Sequence, residues 1–245
     1  MKMIAFLRAA IVAAAMLVSA PVLAQEKTGL KPGFALAPNA RIVLMRPSIK
    51  VGAQSTGGMF EPNADWTAQA RDNIGKALQS TQVRLGNRVT PYDDAAGNDP
   101  VLLGQYQNLF KTLAGSVIEF QFFPGNRLPT KVRKGKFNWS IGQEVTRLPG
   151  LAGADYALFI NTEDHYGSAG RKALQIFGAM AGVGIKSGLH IGYAGLIDLK
   201  TGELVWLNAD QQMGGDVRDA VGATKRVNQL LEGFPAASTA VASAR

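Results

Sequence analysis

Apolar and polar positions recur along this chain with a period that changes from block to block, and the changes mark out its elements. Residues 41–47 hold the compact apolar run Ile42-Val43-Leu44-Met45, too short for a helix and suited to a buried strand. From Trp66 the period lengthens. Trp66, Ala70, Ile74, Ala77 and Leu78 share one helical face while Arg71, Asp72 and Lys76 fall elsewhere, and Asn63 or Asp65 supplies a capping side chain, so a helix covering a sheet is predicted. Residues 82–90 return to alternation through Val83, Leu85 and Val89 with an interruption at Gly86-Asn87, which predicts a strand with a bulge in preference to a small hairpin. Asp99 before Pro100 is a helix start, because the carboxylate accepts an orphan backbone N–H and proline suits the first turn. The stripe Leu102, Tyr106, Leu109, Phe110, Leu113, Val117 and Phe120 carries that helix to Pro124.

Further on, Ser140 is expected to cap a short helix through Ile141, Val145 and Leu148, ended by Pro149-Gly150. Residues 154–162 form the clearest central strand, a nearly continuous apolar run bounded by Gly153 and by the polar Glu163-Asp164-His165. Residues 173–185 are apolar apart from Gln175 and contain Gly178, Gly182 and Gly184. Thirteen residues are too few to span a bilayer as a helix, so a buried helix or apolar flap packed on the domain is expected. Residues 189–199 and 203–211 read as a hairpin, with Gly202 supplying the left-handed turn position. Asp216 is expected to open a last helix bearing Val217, Val221, Val227, Leu230 and Leu231, with Gly233 as its carboxyl cap. This order predicts an α/β fold: a single three-layer-like domain over residues 41–235, with a mixed sheet, a C-terminal antiparallel hairpin and flanking helices. An irregular arm at 25–40 precedes it and a disordered tail at 236–245 follows it.

The amino terminus changes the picture by giving the chain an address. Lys2 and Arg8 precede the apolar residues 9–19, Pro21 breaks the run, and Val22-Leu23-Ala24 offers a cleavage site, the layout of a secretory signal peptide. The expected product starts at Gln25 and is periplasmic. There is no cysteine, so disulfide, thiolate and zinc–cysteine chemistry are excluded, and so is acylation through a thioether. The chain has 26 Lys+Arg against 18 Asp+Glu, net +8, which falls to +6 without Lys2 and Arg8. That charge favours anionic envelope material as a partner. It is densest at Lys131, Arg133, Lys134 and Lys136, a basic loop without interleaved aromatic residues and so not a nucleic-acid surface.

Two segments carry a resemblance. Gly153-Ala154-Asp155-Tyr156-Ala157-Leu158-Phe159-Ile160 and the later Gly195-Leu196-Ile197-Asp198-Leu199-Lys200-Thr201-Gly202-Glu203-Leu204-Val205-Trp206 form a GADY strand followed by an Asp-Leu-Lys-Thr-Gly-Glu hairpin. The pattern resembles the periplasmic domains of the curli-secretion lipoprotein family, lipoprotein activators of penicillin-binding proteins, and the amino-terminal domain of the Tol-Pal translocation protein. The resemblance implies an α/β fold and assembly or scaffolding work. It assigns no functional residue, and the apolar stretch 173–185 lies outside it.

The polar positions complete no catalytic pattern. Gly167-Ser168-Ala169-Gly170 follows a strand, but Tyr166 stands where a nucleophile elbow needs its first glycine. Lys186-Ser187 lacks the glycines of a phosphate-binding loop. His165 and His190, the two histidines, have no partner histidine at helical spacing, and Glu163, Asp164 and His165 on an extended backbone point to alternating sides. No catalytic, cofactor or metal residue is assigned, and no cofactor is expected. Trp139 and Trp206 read as core. The function expected is that of a non-enzymatic exported protein binding or scaffolding an envelope protein or anionic polymer, or itself, with at most peripheral membrane contact. Its candidate contact residues are Lys131, Arg133, Lys134, Lys136, Ile176 and Phe177. The alternatives are an exported hydrolase built on Ser168, His165 or Glu163-Asp164, and a carrier whose apolar pocket is lined by residues 173–185.

Overall fold

A computed structural model of the chain describes residues 28–85, 88–93, 95, 99–126 and 136–235. Among them, nine strands form one mixed sheet: β1 (Thr28–Leu30), β2 (Arg41–Leu44), β3 (Ser48–Gln54), β4 (Phe60–Pro62), β5 (Arg88–Pro91), β6 (Trp139–Ser140), β7 (Tyr156–Gly167), β8 (Leu189–Asp198) and β9 (Glu203–Asp210). The helices are α1 (Ala64–Leu85), α2 (Pro100–Val117), α3 (Ala169–Met180) and α4 (Ala220–Leu230). The fold is α/β, as the sequence pattern predicts. The main path runs β1-β9-β8-β7-β2-β5. β7 is long enough to take two parallel neighbours in succession, β2 opposite Tyr156 to Leu158 and β3 opposite Asn161 to Gly167.

Alternation along β7 divides the core in two. Leu158 and Ile160 face α1 and α4 together with Ile74, Leu78, Trp206, Val227 and Leu230, whereas Ala157 and Phe159 face α2 with Tyr106, Phe110, Trp139 and Leu207. Both tryptophans are buried, as read from the sequence. The GADY and hairpin residues act as fold ties. The Asp155 carboxylate accepts from Arg41 N–H at 2.8 Å, its carbonyl accepts from Leu199 N–H, and the Asp198 carboxylate accepts from Lys200 and Thr201 N–H in the turn. Gly202 has φ +71°, and an added Cβ would lie 2.2 Å from the Gly142 carbonyl oxygen, so both conformation and space require glycine.

Several expectations need correction. Within the span read as an irregular arm, β1 pairs antiparallel with β9 and Leu36 is buried. Helix α1 continues to Leu85, so the strand read over residues 82–90 begins only at Arg88. Asn63 accepts from Trp66 N–H and is the α1 cap. Helix α2 starts as expected at Asp99, which accepts from Leu102 N–H, but a π-helical turn at Ile118–Phe122 follows it. Its wider turn moves the stripe round the axis, so Gln121 and Phe122 are buried and Phe120 is exposed. Ser140 belongs to β6 rather than to a helix cap, donating to the Gly202 carbonyl, and only a 3-10 turn, Gln143–Arg147, follows. The last helix is capped by Asp219, which accepts from Gly222 N–H; Asp216 instead holds Arg218, and Val221 is exposed.

The segment 173–185 departs furthest from expectation. It is mostly exposed: Gly178 is the buried residue of α3, and Ile176, Phe177, Met180 and Val183 face outward. The signal segment 1–24, Lys131, Arg133, Lys134 and the tail 236–245 lie outside the described residues.

Candidate functional site

The distal halves of β7 and β8 extend to the end of the sheet where α3 leaves it, and they carry polar residues in an alternating register. Thr162 and Asp164 point to the α4 side, Glu163 and His165 to the other. On the α4 side Asp164 is fully buried and is clamped by Arg226, Nη1 to Oδ2 and Nη2 to Oδ1 both at 2.7 Å. His190 Nδ1 lies 2.7 Å from Asp164 Oδ1, and Thr162 Oγ1 donates to Asp164 Oδ2 at 3.1 Å. Arg226 spends further donors on the carbonyls of Gly214 and Gly215, so the buried guanidinium is well satisfied. Burial alone would raise the Asp164 pKa, but the hydrogen bonds from His190 and Arg226 and the Arg226 charge overcome it and hold it below the usual carboxylate range.

Beside this cluster the Arg218 guanidinium lies 3.7 Å over the Tyr166 ring and 4.6 Å from the Trp66 ring centroid, and it forks onto Asp216 at 2.6 and 2.9 Å. The Arg218 hydrogen bonds keep Asp216 ionised well below the usual range, and burial pushes the Tyr166 phenol up. On the opposite side of the strand His165 Nε2 meets Glu163 Oε1 at 2.9 Å, and the His165 ring stacks on Phe60 at 4.1 Å. Among the described residues, no three His, Asp or Glu side chains converge as metal ligands would. Of the hydrolase candidates, His165 and Glu163 are in contact and the others take different places. Ser168 caps α3, accepting from Arg171 N–H at 3.2 Å, and Glu163 and Asp164 face opposite sides. The Asp164–His190 pair has the orienting half of a catalytic triad, yet Ser187 Oγ, in the same open groove of about 620 Å³, makes no hydrogen bond.

Helix α3 follows β7 at this end of the sheet. Ser168 N–H donates to the Gln54 carbonyl, Arg171 Nε and Nη1 donate to the carbonyls of Lys186 and Thr56, and Gly188 N–H donates to Gln54 Oε1. At its far end Gly182 takes φ +74° and Val183 N–H reaches back to the Gly178 carbonyl at 2.7 Å, closing the helix. Ile176 and Phe177, singled out in the sequence as contact residues, are brought together on its outer side; Lys136 is exposed and precedes β6 in the chain. Sequence reasoning missed the Arg226–Asp164–His190 cluster. Its available signal was Arg226 within the helical face Ala223, Val227, Leu230.

No protein-family model and no curated protein matches the chain. Among solved structures it is similar to PelC from Paraburkholderia phytofirmans, solved as a dodecamer, at 13% identity over 85% of this chain and 97% of that one, with a TM-score of 0.36. It is also similar to the C-terminal domain of LpoB from Salmonella enterica, at 15% identity over 74% and 88% of the two chains, TM-score 0.24. A third likeness is to lipoprotein GNA1162 from Neisseria meningitidis, at 12% identity over 69% and 80%, TM-score 0.27.

Proposed function

We propose that the chain is a non-enzymatic exported envelope protein that binds or scaffolds another envelope component through the outer face of α3. The observation that carries this reading is the outward placement of Ile176, Phe177 and Met180 on a helix whose amino-terminal end is tied to the fold through Ser168 and Arg171. Apolar side chains grouped on an ordered helix mark a contact surface. The polar residues at this end of the sheet support the same view, because Asp164, Glu163 and Asp216 are each engaged by a partner within the fold. The basic residues Lys131, Arg133, Lys134 and Lys136 provide a second, electrostatic contact to anionic envelope material. Within residues 173–185 the side chains are exposed apart from Gly178 and the half-buried Ile185, which favours a contact face over the carrier alternative.

The test is photo-crosslinking in intact cells from a probe at position 177, compared with one at the exposed Asp72 of α1, with the amino terminus of the same product read by mass spectrometry. Adducts with an envelope component or a second copy at 177 but not at 72, on a chain starting at Gln25, support the reading. Equal labelling at the two positions, or a chain retaining Met1, contradicts it.

A further inference from the structure

An amphipathic helix on a globular domain ordinarily turns its apolar arc inward. Helix α3 does the reverse. At 100° per residue Leu174, Phe177, Met180 and Ile176 fall within an arc of about 160°, and these four are 39, 67, 80 and 63% exposed. The inward side holds Arg171 and Gly178, where an added Cβ would come within 2.9 Å of Ile185 Cδ1 and of the Val183 carbonyl oxygen. The arc continues into the exposed Val183, and the β3–β4 hairpin brings Gly58 against the Arg171 guanidinium with the exposed Met59 next to it.

Charge decides what such a surface fits. From Tyr166 to Ile197 the chain has no Asp or Glu, while Arg171, Lys172 and Lys186 lie at or beside the helix. The acceptors that hold Arg171 are backbone carbonyls, which leave its charge in place. An exposed apolar arc fringed by cations is the composition of a helix lying in a membrane interface, where apolar side chains enter the acyl boundary and Lys and Arg meet anionic headgroups. Twelve residues make a helix of about 18 Å, short of the hydrocarbon thickness of roughly 30 Å, and no helix among the described residues is long and apolar enough to cross a membrane. A second copy docked face to face through α3 brings two acid-free cationic segments together, which like-charge repulsion opposes.

We propose that α3 docks flat on an anionic lipid surface, with Ile176, Phe177 and Met180 in the interface and Lys172 and Lys186 on the headgroups. This rests on the reading of α3 as the contact face and names what it contacts. The experiment is co-sedimentation of the exported protein with phosphatidylcholine vesicles that contain or lack phosphatidylglycerol. Binding is expected only to the anionic vesicles, weakened by added salt, and lowered about fivefold per cation removed in Lys172→Gln/Lys186→Gln. Ile176→Asp/Phe177→Asp is expected to abolish it with an unchanged denaturant midpoint, and a Met180→Trp reporter to shift its fluorescence to the blue on binding. Binding that is indifferent to phosphatidylglycerol, or that survives the Asp pair, overturns the proposal. Absence of vesicle binding with a dimer or a position-177 adduct that the Asp pair removes also overturns it, while leaving the contact-face reading intact. Absence of vesicle binding, self-association and adducts overturns both.

Discussion

Arg226 and Asp164 are both wholly out of solvent, and the Arg226 guanidinium helps hold Asp164 ionised. Removing one partner of a buried pair strands the remaining charge, so Arg226→Met is expected to cost about 3–5 kcal/mol of stability in denaturant unfolding. A loss below about 1 kcal/mol would show that the pair contributes little. The acid dependence follows from the direction of the Asp164 shift. Its folded pKa lies below the unfolded value near 4, so its contribution is complete above that pH and is lost as pH falls towards the lowered folded value. Denaturant midpoints should therefore decline below about pH 4, and less steeply in Asp164→Asn; equal slopes would contradict the assignment. Gly202→Val should destabilise the fold by roughly 1–3 kcal/mol from backbone strain, with the Gly142 carbonyl adding to it; an unchanged midpoint would refute this. Gly202 was legible in the sequence because turn chemistry is local. The Arg226–Asp164 pair was not, because its partners are 62 residues apart and only the tertiary register brings them together.

At the scale of elements, the features legible in the sequence were those with long periodicity or a cap of definite chemistry: α1 with Asn63, α2 with Asp99, β7, and the β8–β9 hairpin. β3 escaped notice because its alternation, Ile49, Val51 and Ala53, is broken by Gly52 and followed by the turn residues Ser55 to Gly58. Helix α1 runs past the predicted boundary to Leu85 because a helix already nucleated propagates whatever the alternation beneath. For α3 the apolarity was legible and its direction was not. Composition says that a segment is apolar; only the attachment of Arg171 to Thr56 and Lys186, with Gly178 on the inner side, turns the apolar arc outward. Helix α3 has exposed hydrogen bonds and few buried contacts, so its amides should exchange faster than those of Ala157 to Ile160 in the centre of β7. Exchange as slow as in β7 would mean that α3 is part of the core.

For the whole molecule, the two cores on either face of the sheet account for folding without α3. Leu158, Ile160 and Trp206 close one side with α1 and α4, Phe159 and Phe110 close the other with α2, and neither group includes Ile176, Phe177 or Met180. The central claim is that α3 is held in place by the fold but contributes its apolar face to something outside it. Measuring Ile176→Asp/Phe177→Asp for both denaturant midpoint and envelope association tests this most directly. The account predicts a stability change within about 0.5 kcal/mol, as for exposed positions, together with loss of association. A large drop in stability, or association that persists unchanged, would contradict it.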